Sequence, residues 1–204
     1  MSEPQILTHA YRQHRDFFDS ASANWKIKEE DLHRAVDIFS QIEFHPGEKI
    51  LDVGCGTGSL FPVIKQFAPV STLIGCDMSW KMLARSQDCA DNERIPIIQC
   101  LGEILPFKDE SIDVVLNYCI FPHLKFRMTA FREFHRVLKE NGRYFIIHPH
   151  GREAINRTHS HLAQPVCFDF LPSVEEAVWQ LLHAAFSVNR IVDRDDLFLI
   201  EVTK

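Results

Sequence analysis

The chain has 204 residues, 46% of them hydrophobic and 25% charged, and a formal net charge of -6. That length suits one α/β domain with its own core and is short for two. The acidic balance, with no run of Lys or Arg, disfavours nucleic acid as a partner, and the longest apolar runs fall short of a membrane span. Six cysteines stand at 55, 76, 89, 100, 119 and 167, with no CxxC pair. Several lie inside apolar runs, which fits buried free thiols in a reducing compartment better than a disulfide framework. The start, Met1-Ser2-Glu3-Pro4, lacks the basic and apolar regions of a signal peptide. A cytoplasmic protein is expected.

Residues 5–24 are polar with apolar punctuation at Ile6, Leu7, Tyr11, Phe17 and Phe18. Over 29–42, Leu32, Ala35, Val36, Phe39 and Ile42 recur at steps of three and four, which predicts an amphipathic helix. His45-Pro46-Gly47 then breaks it. Short apolar runs alternate with helical stretches beyond that point. Strands are expected at Lys49–Val53, 73–76, 95–100, 111–117 and 144–148. Helices are expected at 58–67, from Ser79 as N-cap, and at 124–139 with a stop at Asn141-Gly142. This alternation, with nearly continuous apolar strands, predicts a buried parallel sheet. Residues 149–172 show no clear periodicity and read as a loop. A helix capped by Ser173 follows over 173–185, then two strands at 186–192 and 197–202 joined by the polar link 193–196. That pair reads as an antiparallel hairpin closing the sheet.

One stretch carries chemistry: Lys49-Ile50-Leu51-Asp52-Val53-Gly54-Cys55-Gly56-Thr57-Gly58. An apolar strand runs straight into alternating glycines and then into a helix. The backbone must turn sharply at a strand's carboxyl end, and a ligand must approach where a Cβ would obstruct it. The free N–H groups of the following helix suit a carboxylate or phosphate. The G-x-G-x-G spacing departs from the dinucleotide fingerprint G-x-G-x-x-G, which disfavours NAD or FAD.

Leu51-Asp52-Val53-Gly54-Cys55-Gly56-Thr57-Gly58 resembles the first motif of the class I S-adenosylmethionine-dependent methyltransferases. It is most similar to the ubiquinone/menaquinone-biosynthesis group (methyltransferase type 11). The resemblance implies that Asp52, Gly54, Cys55, Gly56 and Gly58 cradle the amino-acid end of S-adenosylmethionine. It implies that Asp77, closing Ile74-Gly75-Cys76-Asp77, accepts both ribose hydroxyls, with Met78 against the adenine. Gly102-Glu103-Ile104-Leu105-Pro106-Phe107 resembles the family's segment before the fourth strand, with one departure. Leu101 stands where the family places an Asp for the adenine amino group, so Gly102 N–H and Glu103 are the remaining adenine candidates. Asn117, at the exit of strand four (Asn117-Tyr118-Cys119-Ile120-Phe121-Pro122-His123-Leu124), joins the cofactor set. Glu140-Asn141-Gly142 replaces the family's Pro-Gly-Gly turn. The implied fold is Rossmann-like α/β: a seven-stranded, mostly parallel sheet with an antiparallel C-terminal hairpin strand and helices on both faces. The expected organisation is a single methyltransferase domain over 1–204. Residues 1–44 form a helical lid, 45–148 the cofactor core, 149–172 an acceptor-site loop, and 173–204 the closing helix and hairpin. The implied reaction is methyl transfer to a small-molecule acceptor, leaving S-adenosylhomocysteine, by a monomer or homodimer.

Acceptor residues are expected in the N-terminal segment and after the fifth strand. Tyr11, Phe18, Asp19 and Trp25 resemble a lid, with Tyr11 and Trp25 facing the acceptor. Four of the eleven histidines fall between 148 and 161. Three readings of them stay open. His148 and His159 can act as acid, base or substrate-orienting groups. His148, His150, His159 and His161 can bind metal, with Cys167 or Asp169. Or all four are solvated loop residues. Arg152, Arg157 and Asn156 can hold a substrate carboxylate or other polar group. Trp80 and Trp179 read as packing, and His9, His14, His33, His45, His135 and His183 as surface or helix-face residues. Two rival functions remain: a non-catalytic cofactor-binding regulatory subunit, and a protein handling metals or metal chelates on the same fold.

Overall fold

Successive apolar strands assemble side by side because each buries both faces between helices. The computed structural model describes residues 3–93 and 95–204, with the side chains of residues 3, 4 and 88–93 left out, so the Cys89 thiol lies outside what is described. The strands are β1 (Lys49–Val53), β2 (Thr72–Asp77), β3 (Ile97–Gln99), β4 (Ile112–Tyr118), β5 (Leu138–His148), β6 (Ser187–Arg194) and β7 (Leu197–Thr203). The helices are α1 (Glu3–Ala10), α2 (Arg12–Ala21), α3 (Glu29–Phe39), α4 (Phe61–Phe67), α5 (Trp80–Glu93), α6 (Arg127–Val137), α7 (Arg152–Ser160) and α8 (Val174–His183).

The seven strands lie in the order β3-β2-β1-β4-β5-β7-β6. Every pairing from β3 across to β5 is parallel, and β7 runs antiparallel to both β5 and β6. This is the Rossmann-like mixed sheet the sequence predicts. Alternate residues of each strand enter opposite cores, as the two-residue period of a strand requires. Leu51, Val115 and Ile146 join α6 and α8 residues such as Phe131, Phe134 and Leu181 on one face. Ile50, Val114 and Ile147 join α3 and α4 residues such as Phe39, Phe61 and Ile64 on the other. Strand order reverses between β1 and β4, so their carboxyl ends open onto a crevice where ligands bind in such sheets.

Three expectations need correction. The helix at 124–139 is shorter, and Leu138 already pairs with Ile112 in the sheet. Arg143 next pairs with Val114, so 139–142 is an outward excursion, with Asn141 at φ +62. Lys139 Nζ holds that excursion to Asp113 at 2.8 Å. Asn141-Gly142 therefore turns the chain inside a strand and does not stop a helix. Next, 149–172 is not wholly loop, because it contains α7. That helix buries no residue, so it has no apolar stripe to read. Last, Trp80 and Trp179 are exposed rather than packed. Among the described residues, no helix is long and apolar enough to cross a membrane.

Candidate active site

β1 and β2 deliver two carboxyl groups to one place. The chain leaves β1 at Val53 and turns at Gly54, whose φ is +78 and whose Cβ would run into the side chain of Ile120. Gly54 and Cys55 both donate their N–H to the Cys76 carbonyl, at 2.7 and 3.0 Å, tying the loop to the end of β2. Asp77, closing β2, accepts from Gly56 N–H at 3.0 Å and from Ser79 N–H at 2.8 Å. Gly56 has φ +54, and a Cβ there would meet no protein atom within 4 Å, so the loop backbone borders open space. Ser79 caps α5, accepting from Met82 N–H at 3.1 Å, and donates to Asp19 of α2 at 2.5 Å. Asp19 also accepts from Lys81 N–H, so α2 is fastened to the N-terminus of α5, where a negative charge is stabilised.

A cavity of about 450 Å³ lies over this loop, within the range of small-molecule sites. Asp52, Gly54, Cys55, Gly56, Asp77 and Met78 line it, as do Leu101, Gly102 and Glu103. Gly58 does not, since a side chain there would press on Phe61 and Ser86 in the packing below. Asn117 does not either. It is fully buried in β4, where its Oδ1 accepts from the Tyr144 hydroxyl at 2.5 Å and its Nδ2 donates to the Leu116 carbonyl at 3.2 Å. Its neighbours Tyr118 and Cys119 reach the cavity instead.

The carboxyl groups are poised for a ligand. Burial, and then the charge of Asp77, pushes the Asp52 pKa up to about 7. Burial pushes Asp77 up to about 6 against the opposing backbone donors of Ser79 and Gly56. Asp52 Oδ2, Glu103 Oε2 and the Tyr118 hydroxyl are buried without a hydrogen-bond partner among the described residues. Glu103 is engaged at its other oxygen, which accepts from the Tyr11 hydroxyl, while that hydroxyl accepts from Lys125 N–H at 2.6 Å. A cation-bearing ligand with hydroxyls and an amine matches this donor and acceptor set.

Tyr11, Trp25, His150 and His159 also line the cavity, with Phe18 and His123. Phe18 meets Trp25 and His123 edge-on, at 5.9 and 5.1 Å between ring centres. Arg152 and Asn156 do not line it. Asn156 instead clasps Leu171, accepting its N–H at 2.7 Å and donating to its carbonyl at 3.0 Å. His148 is sealed at the end of β5 with neither ring nitrogen partnered among the described residues, and burial holds its pKa down at about 3. It is a neutral core residue without access to the cavity. The four histidines of the metal reading are dispersed. His150 bonds Asp31 at 2.7 Å, His159 bonds the Asp169 carbonyl at 2.5 Å, and His161 is exposed. Among the described residues, no group of three or more His, Cys, Asp or Glu side chains is set to hold a metal ion. His14, expected on a surface, is buried against Asp169. His123 escaped the sequence reading as a site residue, although its place just past the end of β4, at the crevice, was the available signal.

Residues 51–146 match the family described as a methyltransferase domain. Those residues, a little under half of the chain, carry the likeness to that domain. Over 146 residues it is 32% identical to a demethylmenaquinone methyltransferase of Symbiobacterium thermophilum, covering 65% of this chain and 57% of that protein. Over 139 residues it is 30% identical to the ubiquinone/menaquinone biosynthesis C-methyltransferase of Paraburkholderia phytofirmans, covering 64% and 57%. An arsenite methyltransferase of Halobacterium salinarum is 34% identical over 105 residues, 50% of this chain and 27% of that protein. The matched part thus spans little more than half of these relatives at most.

Among solved structures, a chain from the complex of the Haloferax volcanii Trm112 methyltransferase activator with a methyltransferase superposes with a TM-score of 0.74. The identity is 18%, over 91% of this chain and 96% of that one. An S-adenosylmethionine-dependent methyltransferase from Aquifex aeolicus gives 0.68 at 16% identity, over 87% and 99%. These share the fold of the methyltransferase domain. The family likeness implies S-adenosylmethionine as the cofactor.

Proposed function

We propose that this chain transfers the methyl group of S-adenosylmethionine to a small-molecule acceptor. The observation that carries the reading is one cavity lined by two unlike sets of residues: the glycine loop with Asp52 and Asp77, and Phe18, Trp25, His123 and His159. When bound, the cofactor supplies an electrophilic methyl on a sulfonium, whose leaving group departs neutral. In this reading Asp77 takes the ribose hydroxyls, with its remaining lone pairs free beside the two backbone bonds. Asp52 and the open backbone at Gly56 receive the amino-acid end. The two carboxyl groups also favour the ligand's positive charge in a site sheltered from water. Gly102, Glu103 and Met78 border the adenine, and Tyr11 reinforces Glu103 in that position. The aromatic wall of Phe18 and Trp25 excludes water and holds a small organic acceptor in line with the methyl. The thiols of Cys55, Cys76, Cys100, Cys119 and Cys167 are free, which suits work in the reducing cytoplasm.

The test is transfer of label from methyl-labelled S-adenosylmethionine to a panel of phenols, catechols, amines and thiols. Labelled small-molecule product, with equal S-adenosylhomocysteine, is the expected result. Cofactor binding without transfer across the panel would favour a non-catalytic cofactor-binding subunit.

A further inference from the structure

Four polar side chains meet beside the aromatic wall of the cavity, two of them lining it. His14 lies on α2, His123 on the turn after β4, His159 on α7, and Asp169 on the segment before α8. Asp169 Oδ2 lies 2.7 Å from His123 Nδ1, and both Asp169 oxygens lie 3.0 Å from His14 Nε2. The backbone carbonyl of Asp169 lies 2.5 Å from His159 Nδ1.

The acceptors fix the tautomers. A carbonyl or an ionised carboxylate only accepts, so the facing nitrogens of all three rings carry the protons. Burial works to raise the Asp169 pKa, but the hydrogen bonds and charges of His123 and His14 overcome it and hold it at about 2. His123 is drawn below the ordinary imidazole value by burial, against the pull of Asp169 and with the help of His159 and His14. Its ring is therefore neutral at pH 7, and Nε2 is left as a bare lone pair. His123 and His159 stack with ring centres 5.0 Å apart, and both line the cavity. Among the described residues nothing hydrogen-bonds His123 Nε2.

We propose that His123, oriented by Asp169, is the general base that takes a proton from the methyl acceptor, and that the acceptor carries an ionisable O–H or N–H. This rests on the methyl-transfer reading above. The acceptor's O–H or N–H bond breaks and its proton goes to His123 Nε2. The freed electron pair forms the bond to the methyl carbon as the pair of the methyl–sulfur bond stays on sulfur. The proton later leaves His123 to solvent. Asp169 and His14 are positioning residues: Asp169 holds the His123 ring in one tautomer and offsets its charge once protonated, and His14 fixes the Asp169 carboxylate. The charged and titratable groups facing the base are Asp169, His14, His159 and His148, with Tyr11 and Arg127 acting through Asp169.

Two measurements on the whole chain test this. The first is 15N NMR of the imidazoles at pH 7, on wild type and Asp169→Asn. A neutral His123 protonated at Nδ1 is expected, with that preference lost in the variant. A His123 protonated at Nε2, or at both nitrogens, would overturn the proposal. The second compares His123→Gln with wild type on catechol and on 4-nitrophenol, the latter already ionised at pH 8. The variant is expected to lose 100-fold or more in kcat on catechol at pH 7, in line with general-base catalysis. It should lose far less on 4-nitrophenol, and calorimetric binding of S-adenosylhomocysteine should be unchanged. In wild type, kcat/KM on catechol should rise with pH and level off below pH 6.5 as His123 gives up its proton. Equal losses on both acceptors would reduce His123 to a scaffold residue. Cofactor binding with no phenol, catechol or amine methylated would overturn the acceptor class and leave the cofactor reading standing. Absence of cofactor binding would overturn the cofactor reading instead, and the NMR result would still decide the state of the base.

Discussion

Asp52 and Asp77 sit together at the ends of two neighbouring buried strands, and their cost is visible in pH. Asp52 titrates near 7 when folded, well above an ordinary carboxyl. Between about pH 4 and 7 the folded chain thus holds a proton that the unfolded chain has released, so this group's contribution to stability falls as pH rises through that window. His148 acts in the opposite sense. It is held neutral down to about pH 3 when folded, so stability falls as pH drops below its ordinary value of 6.5. The effect of Asp52 is therefore best read as a difference between variant and wild type. Asp52→Asn should stabilise the unliganded protein relative to wild type by roughly 2–3 kcal/mol more at pH 8 than at pH 5. Urea denaturation at the two pH values checks this, and a pH-independent difference would mean Asp52 is already ionised at pH 5. Most of this end of the site was legible, because the turn physics of Asp52-Val53-Gly54-Cys55-Gly56 is written in consecutive residues. Leu101, flagged as a departure, lines the cavity as expected of its place, with Glu103 two residues on supplying a carboxyl group whose second oxygen is unpartnered.

At the scale of elements, α7 and the segment after it form a wall beside His123 through His159 and Asp169, and one side chain ties them together. Asn156 bonds both the N–H and the carbonyl of Leu171, two residues beyond Asp169. Asn156→Ala should free that segment, loosen the placement of Asp169, and lower methyl-transfer kcat by about tenfold, on the order of 1.4 kcal/mol. Cofactor affinity, set on β1 and β2, should hold. A loss of cofactor affinity in the variant, read by calorimetry, would show that the Asp169 cluster and the glycine loop are not separable. This wall is where the sequence was least legible. α7 buries nothing and so lacks an apolar period, and the cluster at Asp169 joins residues up to 155 positions apart. His14 looked like one more polar helix residue because its partner is supplied only by the fold. The strands were legible because β1, β2, β4 and β5 are buried on both faces and read as continuous apolar runs.

At the scale of the whole molecule, the N-terminal helices pack against the carboxyl edge of the sheet through Asp19, Tyr11 and Phe18. Ligand binding to the folded state alone stabilises it by mass action, by about 2.7 kcal/mol at a hundredfold excess over Kd. For a domain of this size that is a rise in Tm of roughly 5–10 °C. S-adenosylmethionine and S-adenosylhomocysteine should each produce such a rise, and NADH should produce none. The most direct measurement is a calorimetric titration of S-adenosylmethionine into wild type and into Asp77→Ala. The account predicts one site with micromolar affinity in wild type. It predicts a loss of 100-fold or more in the variant, from two charge-assisted hydrogen bonds at about 1.5–3 kcal/mol each. Unchanged affinity in Asp77→Ala, or no binding to the wild-type chain, would contradict the cofactor site described above.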